Sequence, residues 1–275
     1  MGLFDNPFRS LDLAREAADK YMPEHDVLAR KVAQRSIVML KNEDSILPLK
    51  TAGQKIAVVG WWVDDKQNEE GCGVVWGNSS FVTTLADGIS NAMVHPSTEF
   101  TKVQANTAES VLDGGVDAAT KAAGWADVVV LAVGEPTNYS SEAQSRTDIV
   151  IPDAQMQVAK AVIAVGKPVV VLLKNGRAIA LDDALLSCSS ILVTWFLGKM
   201  SGDAIGDILF GEVSPSGRLP VSFPIRSGQQ PYFYNHMSSG RPCTPGARSF
   251  KNCWREIPNN ALYPFGFGLT YSQFE

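Results

Sequence analysis

The sequence has no long hydrophobic run and few of the residues that usually bind metals. No stretch of about 18 consecutive apolar residues occurs, which predicts that the chain has no membrane-spanning helix. The only histidines are His25, His95 and His236, and the four cysteines form no C-x-x-C pair. We therefore expect no metal site and no other cofactor. Residues 1–7 lack the basic and apolar regions of a signal peptide, which leaves the location of the parent protein open.

Clusters of like charge are also missing. The 24 basic and 29 acidic residues give a net charge of −5, and the basic residues are scattered along the chain. Nucleic-acid-binding proteins usually carry a basic cluster, so this distribution predicts no nucleic acid partner. What is present is an ordinary globular composition, with 45% apolar and 19% charged residues. A chain of 275 residues with this composition can form one large domain or two small ones.

Three of the four cysteines allow a structural interpretation. Cys188 lies just before the apolar run 191–194 and is predicted to be a small, buried hydrophobic residue. Cys243 and Cys253 bracket a loop of Pro, Gly and basic residues at 244–252, and a disulfide could close that loop. The spacing does not decide between a disulfide and two free thiols, because it contains no information on geometry.

Short apolar segments alternate with segments of helical length. Four runs are uniformly apolar and rich in β-branched residues: 55–60, 127–133, 167–173 and 191–194. Helical stretches lie near 83–92, 106–123, 153–165 and 201–210. Strands that are apolar throughout are typical of a parallel sheet buried on both faces. The alternation therefore predicts an α/β fold, a three-layer sandwich with a mainly parallel sheet covered by helices on both sides.

The two ends of the chain differ from this pattern. Residues 1–22 mix proline, glycine and polar residues and are predicted to be an interdomain linker. A helix is predicted from Pro23, with Leu28, Val32 and Met39 on one face and a buried end at 37–40. From about residue 214 the sequence becomes irregular and rich in turns and aromatic residues, and we expect this tail to wrap over the sheet. Residues 23–275 would then form one domain.

The loop after the run 127–133 is the first candidate for a functional site. Ligands of open parallel sheets bind beyond the carboxyl ends of the strands, and this loop carries Glu135, Glu142, Arg146 and Asp148. A carboxyl group here could act as a general acid or base if burial or a neighbouring charge raised its pKa. The residues also fit an ordinary polar loop in which Arg146 pairs with one acid at the surface.

The same loop resembles a known family. The pattern Gly134-Glu135, then Glu142-Ala-Gln-Ser-Arg146-Thr-Asp-Ile and Ile151-Pro152, is similar to the acid/base loop of periplasmic-type β-glucosidases in glycoside hydrolase family three. Other stretches resemble that family in the same order: 1–8, 36–42, 47–49, 55–60, 166–168, 175–177, 194–196, 204–211, 215–220, 240–242 and 261–271. Each motif is short, but their ordered set spans nearly the whole chain.

The resemblance implies a role for this chain as part of a larger enzyme. Family members are retaining exo-glycosidases in which a (β/α)-barrel domain supplies an aspartate nucleophile and the α/β sandwich supplies the acid/base. It implies that Glu142 is the acid/base, with Glu135 as the reserve candidate. The nucleophile is expected on a barrel domain, in cis or in trans, with a β-glucoside or oligosaccharide as substrate and a periplasmic or secreted parent enzyme. Without that barrel, we expect the isolated chain to be inactive.

The same resemblance suggests further substrate contacts. Arg146, Trp254 and Arg255 are candidates for sugar binding. Arg146 and Asp148 could instead only organise their loop, and Trp254 and Arg255 could belong to a packed surface loop.

The same residues argue against two other functions and leave further alternatives open. A dinucleotide-binding domain needs its glycines at the turn from strand to helix, but those of 71–77 come well after the strand that ends at Gly60. No Gly-x-Ser-x-Gly motif is present to support an α/β-hydrolase. A third alternative keeps the fold without the catalysis, so that the chain would be a non-catalytic carbohydrate-binding or structural fragment. In a fourth, the chain would be one half of a split enzyme.

Overall fold

The computed structural model describes residues 2–20, 22–244, 246 and 249–272, and within them the chain forms one six-stranded sheet. The strands are β1 Val38–Asn42, β2 Lys55–Val59, β3 Glu99–Val103, β4 Val128–Gly134, β5 Val169–Lys174 and β6 Ser190–Val193. Their order across the sheet is β1-β6-β5-β4-β2-β3. All neighbours are parallel except β1, which pairs antiparallel with β6 at one edge. The four apolar runs thus share one sheet, as predicted.

Helices cover both faces of this sheet. They are α1 Leu13–Asp19, α2 Pro23–Ser36, α3 Leu85–Ala92, α4 Gly115–Trp125, α5 Asp153–Ile163, α6 Asp183–Leu186 and α7 Ser201–Leu209. Ala119 of α4 and Met156 of α5 pack on one face, while Ile89 of α3 and Ile205 of α7 pack on the other. Every residue of β4, β5 and β6 is consequently buried, which explains their uniformly apolar sequences. The predicted three-layer α/β sandwich is confirmed.

The irregular tail packs against the sandwich. Leu219 and Phe223 are buried in the core on the side of α4 and α5. Phe223 pairs with Tyr263 in an isolated bridge, and Leu269 pairs in the same way with Met39 of β1. The first bridge joins two parts of the tail to each other, and the second holds the later part of the tail against β1.

Three local predictions were wrong. The run 37–40 was predicted to end a helix, but α2 stops at Ser36 and Val38 begins β1. An apolar run without periodicity fits a buried strand equally well, and pairing with β6 decides the outcome. Leu28 and Val32, predicted on the apolar face of α2, are 60% and 57% exposed, and Ala33 is the buried residue of that helix.

The second wrong helix boundary lies before α4, which begins only at Gly115 rather than near 106. The hydroxyl of Thr107 accepts hydrogen bonds from the N–H groups of Glu109 and Ser110, at 3.3 and 3.0 Å. Such side-chain bonds satisfy the backbone in a turn and compete with a helix. Strand β3 was not predicted, because it is a half-exposed edge strand with polar residues and lacks the uniformly apolar pattern of the buried strands.

The structure also describes the N-terminal segment and the cysteines. Residues 13–19 of the predicted linker form α1, which buries no side chain, and the division at residue 22 stays a prediction. Cys243 and Cys253 form a disulfide. Cys188 is buried, and burial raises the pKa of its thiol to about 11. No helix in the described part of the chain is both long and apolar enough to span a membrane.

Close packing of α3 on α7 gives a testable stability effect. A Cβ added to Gly88 would lie 1.9 Å from the carbonyl carbon of Gly202, so both helices must move apart to accept it. We expect Gly88→Ala to lower the free energy of unfolding by about 1–3 kcal/mol. In urea unfolding, Gly124→Ala is the matched control, because its Cβ meets nothing within 4 Å and Ala favours a helix. Equal stability of the two variants would contradict this packing argument.

Candidate active site

The loop from β4 to α5 places Glu142 at an exposed turn beyond the carboxyl end of the sheet. The N–H of Gln144 donates to the carbonyl of Ser141 at 3.1 Å, and Glu142 and Ala143 are the central residues of that turn. Ala143 has a φ of 60°, which is the left-handed region that glycine prefers. A non-glycine residue held there costs on the order of 1–3 kcal/mol, and such residues cluster at functional sites. The turn therefore presents Glu142 to solvent in a strained, defined conformation.

Glu135, the reserve candidate, has a very different environment. It follows β4 directly, is fully buried, and its N–H donates to the carbonyl of Lys174 at 2.8 Å. One carboxylate oxygen accepts a hydrogen bond from Arg146, and the other lies 3.3 Å from Nε of Arg177. Burial raises the pKa of Glu135, and the two guanidinium groups oppose that rise. A carboxylate enclosed in this way is suited to orient the arginines rather than to reach a sugar.

Arg146 lies inside the loop rather than at its surface. Its Nη1 donates to Glu135 and to the carbonyl of Val150, the latter at 3.3 Å. The guanidinium carbon lies 4.6 Å from the centre of the Tyr139 ring, a cation–π distance. Tyr139 in turn donates its hydroxyl hydrogen to Glu109, and this bond raises the pKa of Tyr139. These contacts favour a loop-organising role for Arg146, whereas Asp148 is exposed.

A second buried ion pair supports the neighbouring loop between β2 and α3. Lys174, the last residue of β5, donates to Glu69, and both side chains are fully buried. The ammonium group also donates to Oγ of Ser201 at 3.0 Å and lies 5.7 Å from the centre of the Trp62 ring. This pair was not predicted from the sequence, because 105 positions separate its members.

The loop between β2 and α3 also contacts the Glu142 loop. The amide oxygen of Asn68 accepts hydrogen bonds from the N–H and the hydroxyl of Thr137, at 2.9 and 3.0 Å. The thiol of Cys72 donates to the carbonyl of Ser140 at 3.2 Å. Immediately after Cys72, the side chains of Val75 and Trp76 are 81% and 96% exposed. The loop that contacts the Glu142 loop thus also carries two exposed apolar side chains.

A polar cavity opens at the ends of β2 and β3. Its volume is about 490 Å³, and its lining includes Trp61, Asp64, Asp65, Lys66 and Gln104. Polar side chains around one aromatic ring are a surface on which a sugar could bind. Across the described ranges, no cluster of three or more His, Cys, Asp and Glu side chains could hold a metal ion.

Trp254 and Arg255 lie elsewhere, in the tail. Trp254 is 41% exposed and lines a pocket of about 720 Å³ together with Tyr232, Phe233 and Tyr234. All residues of this pocket come from the tail, and the Glu142 loop contributes none. Arg255 is exposed. The structure therefore brings Arg146 to Glu135 but does not join Trp254 to the Glu142 turn.

Arg177 is a further residue of this site whose role was not predicted from the sequence. The motif 175–177 contributed to the family resemblance, but no role was assigned to its arginine. In the structure the Nη2 of Arg177 donates to the carbonyls of Tyr139 and Gln144, on either side of Glu142. Its place in the sequence could have indicated a role, because Arg177 lies in the segment after β5 and Glu135 lies in the segment after the adjacent strand β4.

Comparison with known proteins agrees with this architecture. Residues 37–271 match the family model described as the glycosyl hydrolase family 3 C-terminal domain. The chain is 37% identical to a periplasmic β-glucosidase of Salmonella typhimurium, across 100% of this chain and 39% of that protein. It is 32% identical to a β-xylosidase of Formosa agariphila, across 100% of this chain and 38% of that protein.

A solved structure shows the same likeness in three dimensions. The β-glucosidase of Listeria innocua, determined in complex with isofagomine, superposes with a TM-score of 0.90 at 36% identity. The match covers 100% of this chain and 38% of that one, so this chain spans well under half the length of such relatives. The chain belongs to glycoside hydrolase family three and corresponds to its C-terminal domain.

Proposed function

We propose that this chain is the acid/base-bearing domain of a retaining, exo-acting β-glucosidase, with Glu142 as the acid/base. The observation that carries the proposal is the position of Glu142, which is exposed at a strained turn beyond the carboxyl end of β4. Glu135 pairs with Arg146 and Arg177 in the same loop region, and Arg177 also donates to the backbone on both sides of Glu142, which favours one position of the turn. Preorganised placement of this kind is what proton transfer requires.

The proposed reaction needs a second carboxylate from outside this site. In a retaining glycosidase one carboxyl group protonates the leaving oxygen and later activates water, while another, about 5–5.5 Å away, forms the glycosyl-enzyme. Glu135 shares the loop with Glu142, but its two arginine partners and complete burial make it unsuited to attack a sugar. We therefore place the nucleophile on a barrel domain, joined to this chain or separate from it.

The sandwich offers a surface for that partner domain. Val75 and Trp76 are exposed in the loop whose Cys72 contacts Ser140, and exposed apolar side chains of this kind can mark interaction surfaces. A barrel domain seated here would cover these side chains and bring its nucleophile across from Glu142. The relatives are longer than this chain, which leaves room in them for such a domain.

The substrate proposed is a terminal β-linked glucose, by analogy with the relatives named β-glucosidases. A β-xyloside is the alternative, because another relative is named a β-xylosidase. Among the candidate sugar contacts, Trp254 keeps that role as a proposal because its ring lines an open pocket. Arg255 beside it remains a weaker proposal. The contacts of Arg146 with Glu135 and Tyr139 argue against a direct sugar contact.

We also propose that the parent enzyme is periplasmic or secreted. The disulfide between Cys243 and Cys253 supports this, because such bonds persist mainly in oxidising compartments. The Salmonella relative is named a periplasmic enzyme, which agrees.

A domain exchange tests the proposed function. In the chimera, this chain replaces the matching segment of the Listeria innocua β-glucosidase, to which it is 36% identical. We expect the chimera to hydrolyse an aryl β-glucoside with retention of anomeric configuration, and the isolated chain to show no enzymatic turnover. Parallel assays with an aryl β-xyloside decide between the two substrates.

Two outcomes would contradict the proposal. Turnover by the isolated chain would mean that its nucleophile lies within these 275 residues. A folded chimera that binds glucosides but never hydrolyses them would instead favour a non-catalytic carbohydrate-binding or structural role.

A further inference from the structure

Arg177 binds the backbone on both sides of Glu142. Its Nη2 donates to the carbonyl of Tyr139 and to the carbonyl of Gln144, the latter at 2.7 Å. A single guanidinium nitrogen therefore joins the start and the end of the segment 139–144. We infer that Arg177 is a positioning residue that sets where the Glu142 carboxyl group lies for proton transfer, an inference that rests on the proposed function.

The side chain of Glu142 needs such a support. Within the described residues, no hydrogen bond or ion pair holds its carboxylate, so its position depends on the backbone of the turn. General acid catalysis requires the acid within about 2.6–3.2 Å of the oxygen that it protonates. A displacement of roughly 1 Å can lower a rate on the order of 100-fold. The backbone bonds made by Arg177 are therefore able to control catalysis without any contact to the sugar.

Arg177 is itself fixed to the sheet. Its Nε lies 3.3 Å from Glu135, and the backbone of Glu135 is bonded to Lys174 at the end of β5. A chain of contacts thus runs from β4 and β5, through Glu135 and Arg177, to the two carbonyls. Hydrogen bonds from a charged donor are stronger than neutral ones, so the two bonds from Arg177 to these carbonyls are suited to hold the turn.

Gly176 supports the turn in a second way. A Cβ at this position would lie 2.2 Å from Oγ of Ser140 and 3.1 Å from its Cβ. The backbone that follows β5 therefore lies directly against the segment held by Arg177. The hydroxyl of Ser140 can rotate away, but its Cβ cannot, and the Cε2 atom of Phe196 would lie 3.0 Å from the added Cβ on another side. A side chain at 176 should therefore displace Ser140, and with it the turn.

A general loss of stability would affect all substrates alike, whereas displacement of an acid would not. Poor leaving groups need protonation and suffer most, while activated aryl groups leave as stable anions and suffer least. Loss of the base also slows attack by water on the glycosyl-enzyme. Azide needs no deprotonation and should then speed turnover of activated substrates.

The test uses the chimera carrying Arg177→Gln, Arg177→Lys or Glu142→Gln. We expect Arg177→Gln to lower kcat/KM by on the order of 100-fold for alkyl glucosides and by less than about 10-fold for dinitrophenyl glucoside. Azide should accelerate turnover of the latter substrate. Arg177→Lys, which keeps the charge but not the planar fork, should fall between. Arg218→Gln is the matched control, since Arg218 is exposed and donates to its neighbour Gly217.

A second pair of variants covers the case in which Arg177→Gln does not fold. Gly176→Ala should show the same dependence on the leaving group. Gly176→Ala with Ser140→Gly should restore part of the activity towards alkyl glucosides, since the contact with Phe196 remains. The reference is Glu142→Gln, which should lose far more activity towards alkyl glucosides than towards dinitrophenyl glucoside. If it does, but Arg177→Gln or Gly176→Ala loses equal activity towards both substrates and azide has no effect, the inference is overturned. If Glu142→Gln itself lacks that pattern, the proposed function fails instead.

Discussion

Glu142→Gln in the chimera is expected to lower kcat/KM for alkyl glucosides by about 10²- to 10⁴-fold, the usual contribution of a general acid. The glutamine amide cannot release a proton to the leaving oxygen. For dinitrophenyl glucoside the loss should be much smaller, because that leaving group needs no protonation. A glycosyl-enzyme should accumulate with this substrate, and azide should release it. Steady-state assays with a leaving-group series, with and without azide, measure each effect.

Glu135→Gln is the matched comparison, because it makes the same chemical change in the same loop. Glu135 is buried between Arg146 and Arg177, so its loss should affect folding more than chemistry. We expect a decrease in the free energy of unfolding of about 1–3 kcal/mol, because the charge of Glu135 is lost. The amide oxygen of glutamine can still accept hydrogen bonds from the two arginines, so Arg177 should stay in place and all leaving groups should show similar fractional losses. If azide accelerated Glu135→Gln and left Glu142→Gln unchanged, the acid/base role would belong to Glu135.

Lys174→Met is expected to lower the free energy of unfolding by about 3–5 kcal/mol. Lys174 and Glu69 are both fully buried, and the ammonium group of Lys174 donates to the carboxylate of Glu69. Removal of the ammonium group leaves the Glu69 carboxylate without its charge partner in a medium that solvates it poorly. Oγ of Ser201 also loses its hydrogen-bond donor. Urea unfolding of the chain measures the change.

Two further variants separate the cost of the unpaired charge from the value of the pair. Lys174→Met combined with Glu69→Leu removes both charges, and we expect it to recover most of the lost stability. Lys121→Met is the control, because Lys121 is exposed on α4 and its replacement should change stability by no more than about 0.5 kcal/mol. If Lys174→Met matched that control, the ion pair would have no structural importance.

Burial explains which strands the sequence could predict. Strands β2, β4, β5 and β6 are apolar almost throughout, because helices cover both faces of the sheet at these positions. β1 is also apolar, but a run without alternation fits a buried helix as well as a strand, and it was assigned wrongly. β3 is an edge strand with exposed Glu99 and Lys102, so its sequence has no strong periodicity.

Only part of the candidate site could be predicted from the sequence. The rule for parallel sheets and the family resemblance both pointed to the loop after β4, and the structure places Glu142 there at an exposed turn. The contacts beneath that turn were not predictable. Arg177 is 33 positions from Gln144, and Lys174 is 105 positions from Glu69. Local patterns carry no information about such pairs, since only the order of the strands brings them together.

The sequence by itself determined the α/β class, the four central strands and the family, because each depends on local hydrophobicity or on ordered motifs. The tertiary structure alone decided which carboxylate is exposed and which is enclosed. Glu135 and Glu142 are both polar residues of one loop, and although the family resemblance ranked Glu142 first, no local hydrophobic pattern shows which of the two is buried. They differ because β4 and β5 lie side by side, so that Arg177 can pair with Glu135 and bind the turn beyond it.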